Sequence, residues 1–256
     1  MRIIAAGLTD VGLQRDHNED TFRCLDQYGL YLVADGMGGH RSGEVASKMA
    51  SDGMLAFFEA TAREDATWPF AVDPALGLRE NRLAASIKMA NKQIFERSVN
   101  DASAHGMGTT VVGMLISAED GVALIAHVGD SRAYRVRDER IMQLTRDHSL
   151  VNDYIAMMPD LPKEAMDVLP KNVITRALGM QEAVVVDLVK KDVQEGDRFI
   201  LCTDGLSGQV PSNRICEIVV QHGKDLNACA KKLISAANEA GGDDNVTVVI
   251  VGAEPD

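Results

Sequence analysis

Two hydrophobic periods run along this chain. Short apolar runs, Leu30-Tyr31-Leu32-Val33-Ala34, Val122 to Val128, Phe199-Ile200-Leu201-Cys202-Thr203 and Val246 to Val251, have the length and the branched or aromatic content of buried strands. Thr110 to Ile116 and Val122 to Val128 flank Ser117-Ala118-Glu119-Asp120-Gly121, and Tyr134-Arg135-Val136 and Ile141 to Leu144 flank Arg137-Asp138-Glu139-Arg140; both patterns predict hairpins. Elsewhere the period lengthens. Val45, Met49, Met54, Phe57 and Phe58 after Gly43, then Leu83, Ile87, Ala90 and Ile94, recur at helical spacing and predict one helix pair. A second pair follows Pro211 and Asp225, with Leu226, Ala230, Leu233 and Ala237 on one face and Asp225 as N-cap. Ala62 to Leu78 reads as a long surface loop. The pattern predicts an α+β fold of one domain over residues 1–256, with antiparallel sheets covered by helix pairs. It weakens between Asp147 and Leu178 into helical pieces, Leu150 to Met158 and Lys163 to Leu169, broken by Pro159, Pro162 and Pro170.

The polar residues at the strand ends carry the chemistry. Asp35, Asp130, Asp204 and Asp244 each adjoin an apolar run and sit next to a glycine or asparagine. One Asp-Gly pair after a strand is an ordinary turn. Four carboxylates fixed at strand ends describe oxygen ligands for a hard divalent cation such as Mg²⁺ or Mn²⁺. Gly36, having no side chain, lets its own carbonyl face a cation. Near the N-terminus, Arg15-Asp16-His17-Asn18-Glu19-Asp20 places a guanidinium fork suited to phosphate beside two further carboxylates.

Taken in order, Arg15-x-x-Asn18-Glu19-Asp20, Val33-Ala34-Asp35-Gly36-Met37-Gly38-Gly39, Gly106-Met107-Gly108-Thr109-Thr110, Gly129-Asp130-Ser131-Arg132-Ala133, Thr203-Asp204-Gly205 and Asp243-Asp244-Asn245-Val246-Thr247 resemble the motifs of the PPM, or PP2C-type, metal-dependent serine/threonine protein phosphatases, bacterial type. The resemblance covers essentially the whole chain. It implies a four-layer α-β-β-α sandwich of two mainly antiparallel sheets, with metals at one end. It implies that Asp35 bridges two Mn²⁺ or Mg²⁺ ions, that Gly36 lends its carbonyl, that Asp204 and Asp244 complete the second ion, and that Glu19 and Asp20 act through water. Asp130 would help hold a third, weaker ion, and Arg15 the substrate phosphate. A water or hydroxide bridging the ions would attack the phosphoryl group in line, with no protein nucleophile. The 147–178 region would be a flap beside the site, its Met157, Met158 and Met166 offering adaptable contacts.

One position departs from the pattern. Met37 stands where eukaryotic members often carry a histidine, and a thioether cannot protonate a leaving alkoxide. The expectation is that a metal-bound or bulk water does so, with His40 the side chain to test. The other histidines carry less: His127 reads as core and His148 as a helix start, while His17, His105 and His222 form no pair at zinc spacing.

Composition narrows the partners. A net charge of −12 in 256 residues disfavours nucleic acid and anionic membrane surfaces, although bound cations offset it locally at the site. No signal-peptide core forms before Thr9-Asp10, no run is long enough to span a bilayer, and four unevenly spaced cysteines read as reduced thiols; the expectation is a cytoplasmic monomer. Its partners would be phosphorylated proteins, including a Hanks-type kinase whose action it reverses. A phosphatase of an anti-anti-sigma factor is a related reading, and a catalytically silent phosphoprotein-binding module is one of another class. No Lys-Ser/Thr follows the glycine-rich loops, which excludes a P-loop.

Overall fold

The computed structural model describes residues 1–38, 42–62, 68, 70–158, 169–170 and 173–256. Gly39, His40, Pro159, Pro162, Met166 and nearly all of the helical piece expected over 163–169 lie outside the described residues. In chain order come β1 (Arg2–Asp10), β2 (Asp20–Leu25), β3 (Leu30–Met37), α1 (Ser42–Ala60), α2 (Leu78–Asn100), β4 (Gly108–Thr109), β5 (Val111–Ser117), β6 (Val122–Val128), β7 (Arg132–Arg137), β8 (Arg140–Gln143), α3 (Leu150–Met157), β9 (Asp187–Asp192), β10 (Arg198–Cys202), α4 (Asp204–Ser207), α5 (Ser212–His222), α6 (Leu226–Glu239) and β11 (Val246–Glu254).

The strands form two antiparallel sheets, one ordered β1-β11-β10-β7-β8 and the other β2-β3-β5-β6-β9 with β4 paired to β3. Strand alternation explains why the runs are apolar throughout. On β3, Leu30, Leu32 and Ala34 face α1 and α2, while Tyr31 and Val33 face the other sheet. On β10, Ile200 and Cys202 face α5 and α6, while Phe199 and Leu201 join the inter-sheet layer with Val249 and Val251 of β11. Both faces of each central strand are therefore dry, and three apolar layers separate four layers of structure. The expected α-β-β-α sandwich is present.

Local signals account for the element ends. The Asp225 carboxylate caps α6 by accepting from Ala228 N–H at 3.0 Å, as the sequence predicts. The β7–β8 hairpin turns on Asp138 and Glu139, both in the left-handed region, leaving Arg137 paired with Arg140. One boundary differs from expectation: β3 does not stop at Asp35 but runs to Met37, because Gly36 and Met37 pair with Thr109 and Gly108 of β4. Asp35 is thus held inside a strand rather than in a turn.

Candidate metal centre

The acidic residues come from elements far apart in sequence that meet at one end of the sandwich. Asp20 opens β2 directly opposite Asp35 on β3, Asp204 starts α4 straight after β10, and Asp244 lies just before β11. Backbone contacts fix them. Asp35 N–H donates to Thr110 Oγ1 (3.2 Å), and its carbonyl accepts from Thr109 Oγ1 (2.7 Å) and Thr110 N–H (2.8 Å). Glu19 N–H donates to Asn245 Oδ1 (2.8 Å), while Asn245 Nδ2 donates to the carbonyls of Val11 and His17, both at 2.9 Å. Behind Asp20, Thr203 Oγ1 donates to Asp20 Oδ2 (2.8 Å) and accepts from Thr247 N–H (3.0 Å).

Close backbone approach shapes the same corner. A Cβ on Gly36 would lie 2.1 Å from the Gly43 carbonyl oxygen, so the start of α1 presses directly on the peptide expected to offer its carbonyl.

Negative charge is crowded at this corner. Burial, then the charges of Asp20, Asp204 and Asp244, push the Asp35 carboxyl well above the ordinary carboxylate range. Burial raises Asp20 against the hydrogen bonds from Thr247 and Thr203, and burial together with Asp244 raises Asp204. Asp130 is pushed up to about 6 by burial and then by the charge of Asp204, which places it in the same field. Glu19 is raised chiefly by burial. Among the described residues, the buried oxygens Asp20 Oδ1, Asp130 Oδ1 and Asp204 Oδ1 find no hydrogen-bond partner. Orphaned carboxylate oxygens carry a desolvation cost that a hard cation removes, and an all-oxygen donor set fits Mn²⁺ or Mg²⁺.

Arg15 stands at the rim, where Nη2 donates to Asp244 Oδ2 at 2.7 Å and Nε to the Asp243 carbonyl at 3.4 Å. It is half exposed, so this ion pair contributes little and is readily exchanged for another anion. Arg15, His17, Glu19, Gly38 and Asn245 line an open cavity of about 270 Å³ beside the carboxylates.

A second cluster escaped the spacing argument because its members lie on separate elements. Among the described residues, His127, His148 and Asp187 are the three ligating side chains whose donor atoms all fall within 4.8 Å of one another. The imidazoles of His127 and His148 stack at 4.7 Å with a 15° interplanar angle, so their lone pairs run parallel rather than converging. Arg176 Nη1 already lies 2.7 Å from Asp187 Oδ1 and 3.0 Å from His148 Nε2. A guanidinium in that place opposes a cation, and we read the cluster as a charge-satisfied brace.

His127 is core, as its strand position predicts, at 1 % exposure. Burial, then His148, lowers its pKa to about 4, against the raising influence of Asp187 and Asp147. The unfolded chain, titrating near 6.5, binds the extra proton first, so stability present above pH 6.5 is lost as pH falls toward 4. By pH 5 this amounts to about 2 kcal/mol. Urea unfolding at pH 7 and pH 5 should therefore show His127→Leu losing about 2 kcal/mol less than the parent protein over that interval. An equal loss in both would refute the assignment.

The protein phosphatase 2C family profile matches residues 14–245. A serine/threonine phosphatase stp of Listeria welshimeri is 38% identical over 254 residues, covering 95% of this chain and 93% of that protein. The protein phosphatase PhpP of Streptococcus pneumoniae is 34% identical over 249 residues, covering 95% of each. Among solved structures, the catalytic domain of the serine/threonine protein phosphatase PstP in complex with two manganese ions superposes with a TM-score of 0.80 at 32% identity, covering 99% of both chains.

Proposed function

The chain belongs to the protein phosphatase 2C family and is a metal-dependent serine/threonine protein phosphatase, and we propose that Asp35, Asp204 and Asp244 with the Gly36 carbonyl hold its divalent pair, Glu19 and Asp20 acting through water. The observation that carries this assignment is the crowding of buried carboxylates at one end of the two sheets, where Asp20 and Asp204 each hold an oxygen unpartnered among the described residues and, after burial, their charges with that of Asp244 raise the Asp35 carboxyl. Bound there, Mn²⁺ or Mg²⁺ supplies an ionisable water and neutralises charge on the phosphoryl oxygens. The protein's own residues do the positioning. Thr203, Thr109, Thr110 and Asn245 fix the backbone and carboxylates so that little reorganisation accompanies the reaction. Arg15 exchanges its contact with Asp244 for the substrate phosphate, a bidentate fit that lysine does not reproduce.

Asp130 would hold a third, weaker ion, an assignment supported by its unpartnered Oδ1 and its place in the field of Asp204. Met37 lies on β3 beside Gly108 and has no proton to give, so a water in the cleft would protonate the leaving alkoxide. Residues 147–178 would serve as the flap that discriminates among phosphoproteins, one of them a kinase of the Hanks type. Among its described residues, Met157 at the end of α3 and Met158 just after it are exposed to solvent. Among the described residues no helix is long and apolar enough to cross a membrane.

The test is phosphate release from a phosphothreonine peptide with manganese, with chelator, and after manganese is restored. Activity should disappear and return. Activity that persists in chelator would overturn the metal mechanism, and none with any divalent cation would favour a phosphoprotein-binding module.

A further inference from the structure

Asp130 sits in a loop held just before it by His148 and just after it by Thr110. Gly129, at φ +108°, leaves no room for a side chain, since a Cβ there would meet Thr110 at 2.6 Å. Its N–H donates to His148 Nδ1 at 2.9 Å, and its carbonyl accepts from His148 N–H at 2.9 Å. On the far side of the aspartate, Ser131 Oγ pairs with Thr110 Oγ1 at 2.7 Å. A backbone amide can only donate, so His148 Nδ1 must carry the lone pair and Nε2 the proton. On that side Nε2 lies 3.4 Å from Asp187 Oδ2, an ion-pair separation, and the same carboxylate accepts from the Arg176 guanidinium through Oδ1 at 2.7 Å. Arg176 Nη1 lies 3.0 Å from the same Nε2, and of these two neighbours only the carboxylate can accept a hydrogen bond from it.

The same histidine also anchors the chain on both sides of the flap. Its carbonyl accepts from Thr175 N–H at 2.9 Å, Ser149 bridges to Ile174, and Leu150 N–H donates to the Val173 carbonyl at 2.9 Å. Asp187 lies at the start of β9, paired to His127 of β6, so the ring is braced against the sheet.

We propose that His148 is a positioning residue whose Nδ1 lone pair, fixed by Asp187, locks the Gly129 backbone and thereby aims the Asp130 carboxylate at its cation. This deepens the assignment of Asp130 as a metal ligand and rests on it. Outer partners of metal ligands contribute on the order of 10–100-fold to affinity, which sets the expected size.

The two ends of the ring separate by substitution. Asparagine reproduces an acceptor near Nδ1 and loses the Nε2 side; glutamine does the reverse. Manganese binding to the purified protein, read by the electron paramagnetic resonance of free Mn²⁺, should show the weakest site lowered about tenfold in His148→Gln and within about threefold of the parent in His148→Asn, with tighter sites unchanged. Equal losses in both, with unchanged melting temperatures, would make His148 merely a packing residue. Asp130→Ala is the control: if it leaves all manganese binding intact, the ligand assignment fails and takes the proposal with it, whereas a weakened site there with normal binding in His148→Gln defeats the proposal alone. The tautomer is checked in the parent protein, independently of whether any variant folds. Imidazole ¹⁵N shifts should show Nδ1 unprotonated and Nε2 protonated, and the opposite tautomer overturns the inference.

Discussion

Replacing Asp35 by asparagine should lower phosphate release from a phosphothreonine peptide by on the order of a thousandfold, equivalent to about 4 kcal/mol of lost transition-state stabilisation. The same change should raise the melting temperature of the protein in chelator. Asp35 lies opposite Asp20 and in the field of Asp204 and Asp244, and its raised carboxyl reports the cost of crowding those charges in a buried space. An amide removes one charge, keeps the shape and relieves that repulsion. Manganese should then stabilise the parent strongly and the variant little, since ligand binding to the folded state alone raises stability by mass action. Circular dichroism melts of both proteins, with and without manganese, give four values; a variant that melts lower than the parent in chelator, or one that keeps its activity, removes Asp35 from the centre of the site.

Gly205→Ala is expected to damage the protein without touching any charge. A Cβ at residue 205 would lie 2.0 Å from the Asn245 carbonyl oxygen. The obstacle is backbone rather than a flexible side-chain tip, so the start of α4 and the entry to β11 must move apart. Those are the segments that carry Asp204 and Asp244. Overpacking of this kind costs about 1–3 kcal/mol. The activity loss should exceed what destabilisation explains, because a ligand displaced by a fraction of an ångström loses its cation geometry. Gly208→Ala supplies the comparison, as its nearest neighbour would be the Asp204 carbonyl of its own turn at 2.8 Å. Urea melts and manganese titrations of the two variants separate the effects: Gly205→Ala should need at least about tenfold more manganese for half activity, and a purely thermal effect would show the two segments to be independent.

How far the site can be read along the chain depends on whether its constraints are local. Asp35, Asp204 and Asp244 announce themselves because each ends or begins a hydrophobic run, and the order of the motifs supplies the rest. Thr203 and Asn245 fall inside those motifs but gain a role only when β10 and β11 lie side by side, where Thr203 reaches Asp20 across 183 residues. From its neighbours His148 reads as a helix start, and Ser149 does cap α3. Nothing nearby shows that its ring reaches back to Gly129. Strands β1, β2 and β9 carry weak signals: Arg2–Asp10 and Asp187–Asp192 interleave small or charged residues, and their half-buried positions need little hydrophobicity. In β2 the alternation of Phe22 and Cys24 toward the inter-sheet layer is the readable trace.

The sequence by itself determined the class of fold, the helix pairs, the hairpins and which acidic residues are candidates at strand ends, because periodicity, turn chemistry and capping are properties of neighbouring residues. Only the tertiary structure decided that Asp20 faces Asp35, that Gly205 admits the Asn245 carbonyl and that His148 braces the Asp130 loop. Those are contacts between residues far apart in sequence. Their energy comes from burial and from hydrogen bonds closed across sheets, and neither exists until the two sheets have packed.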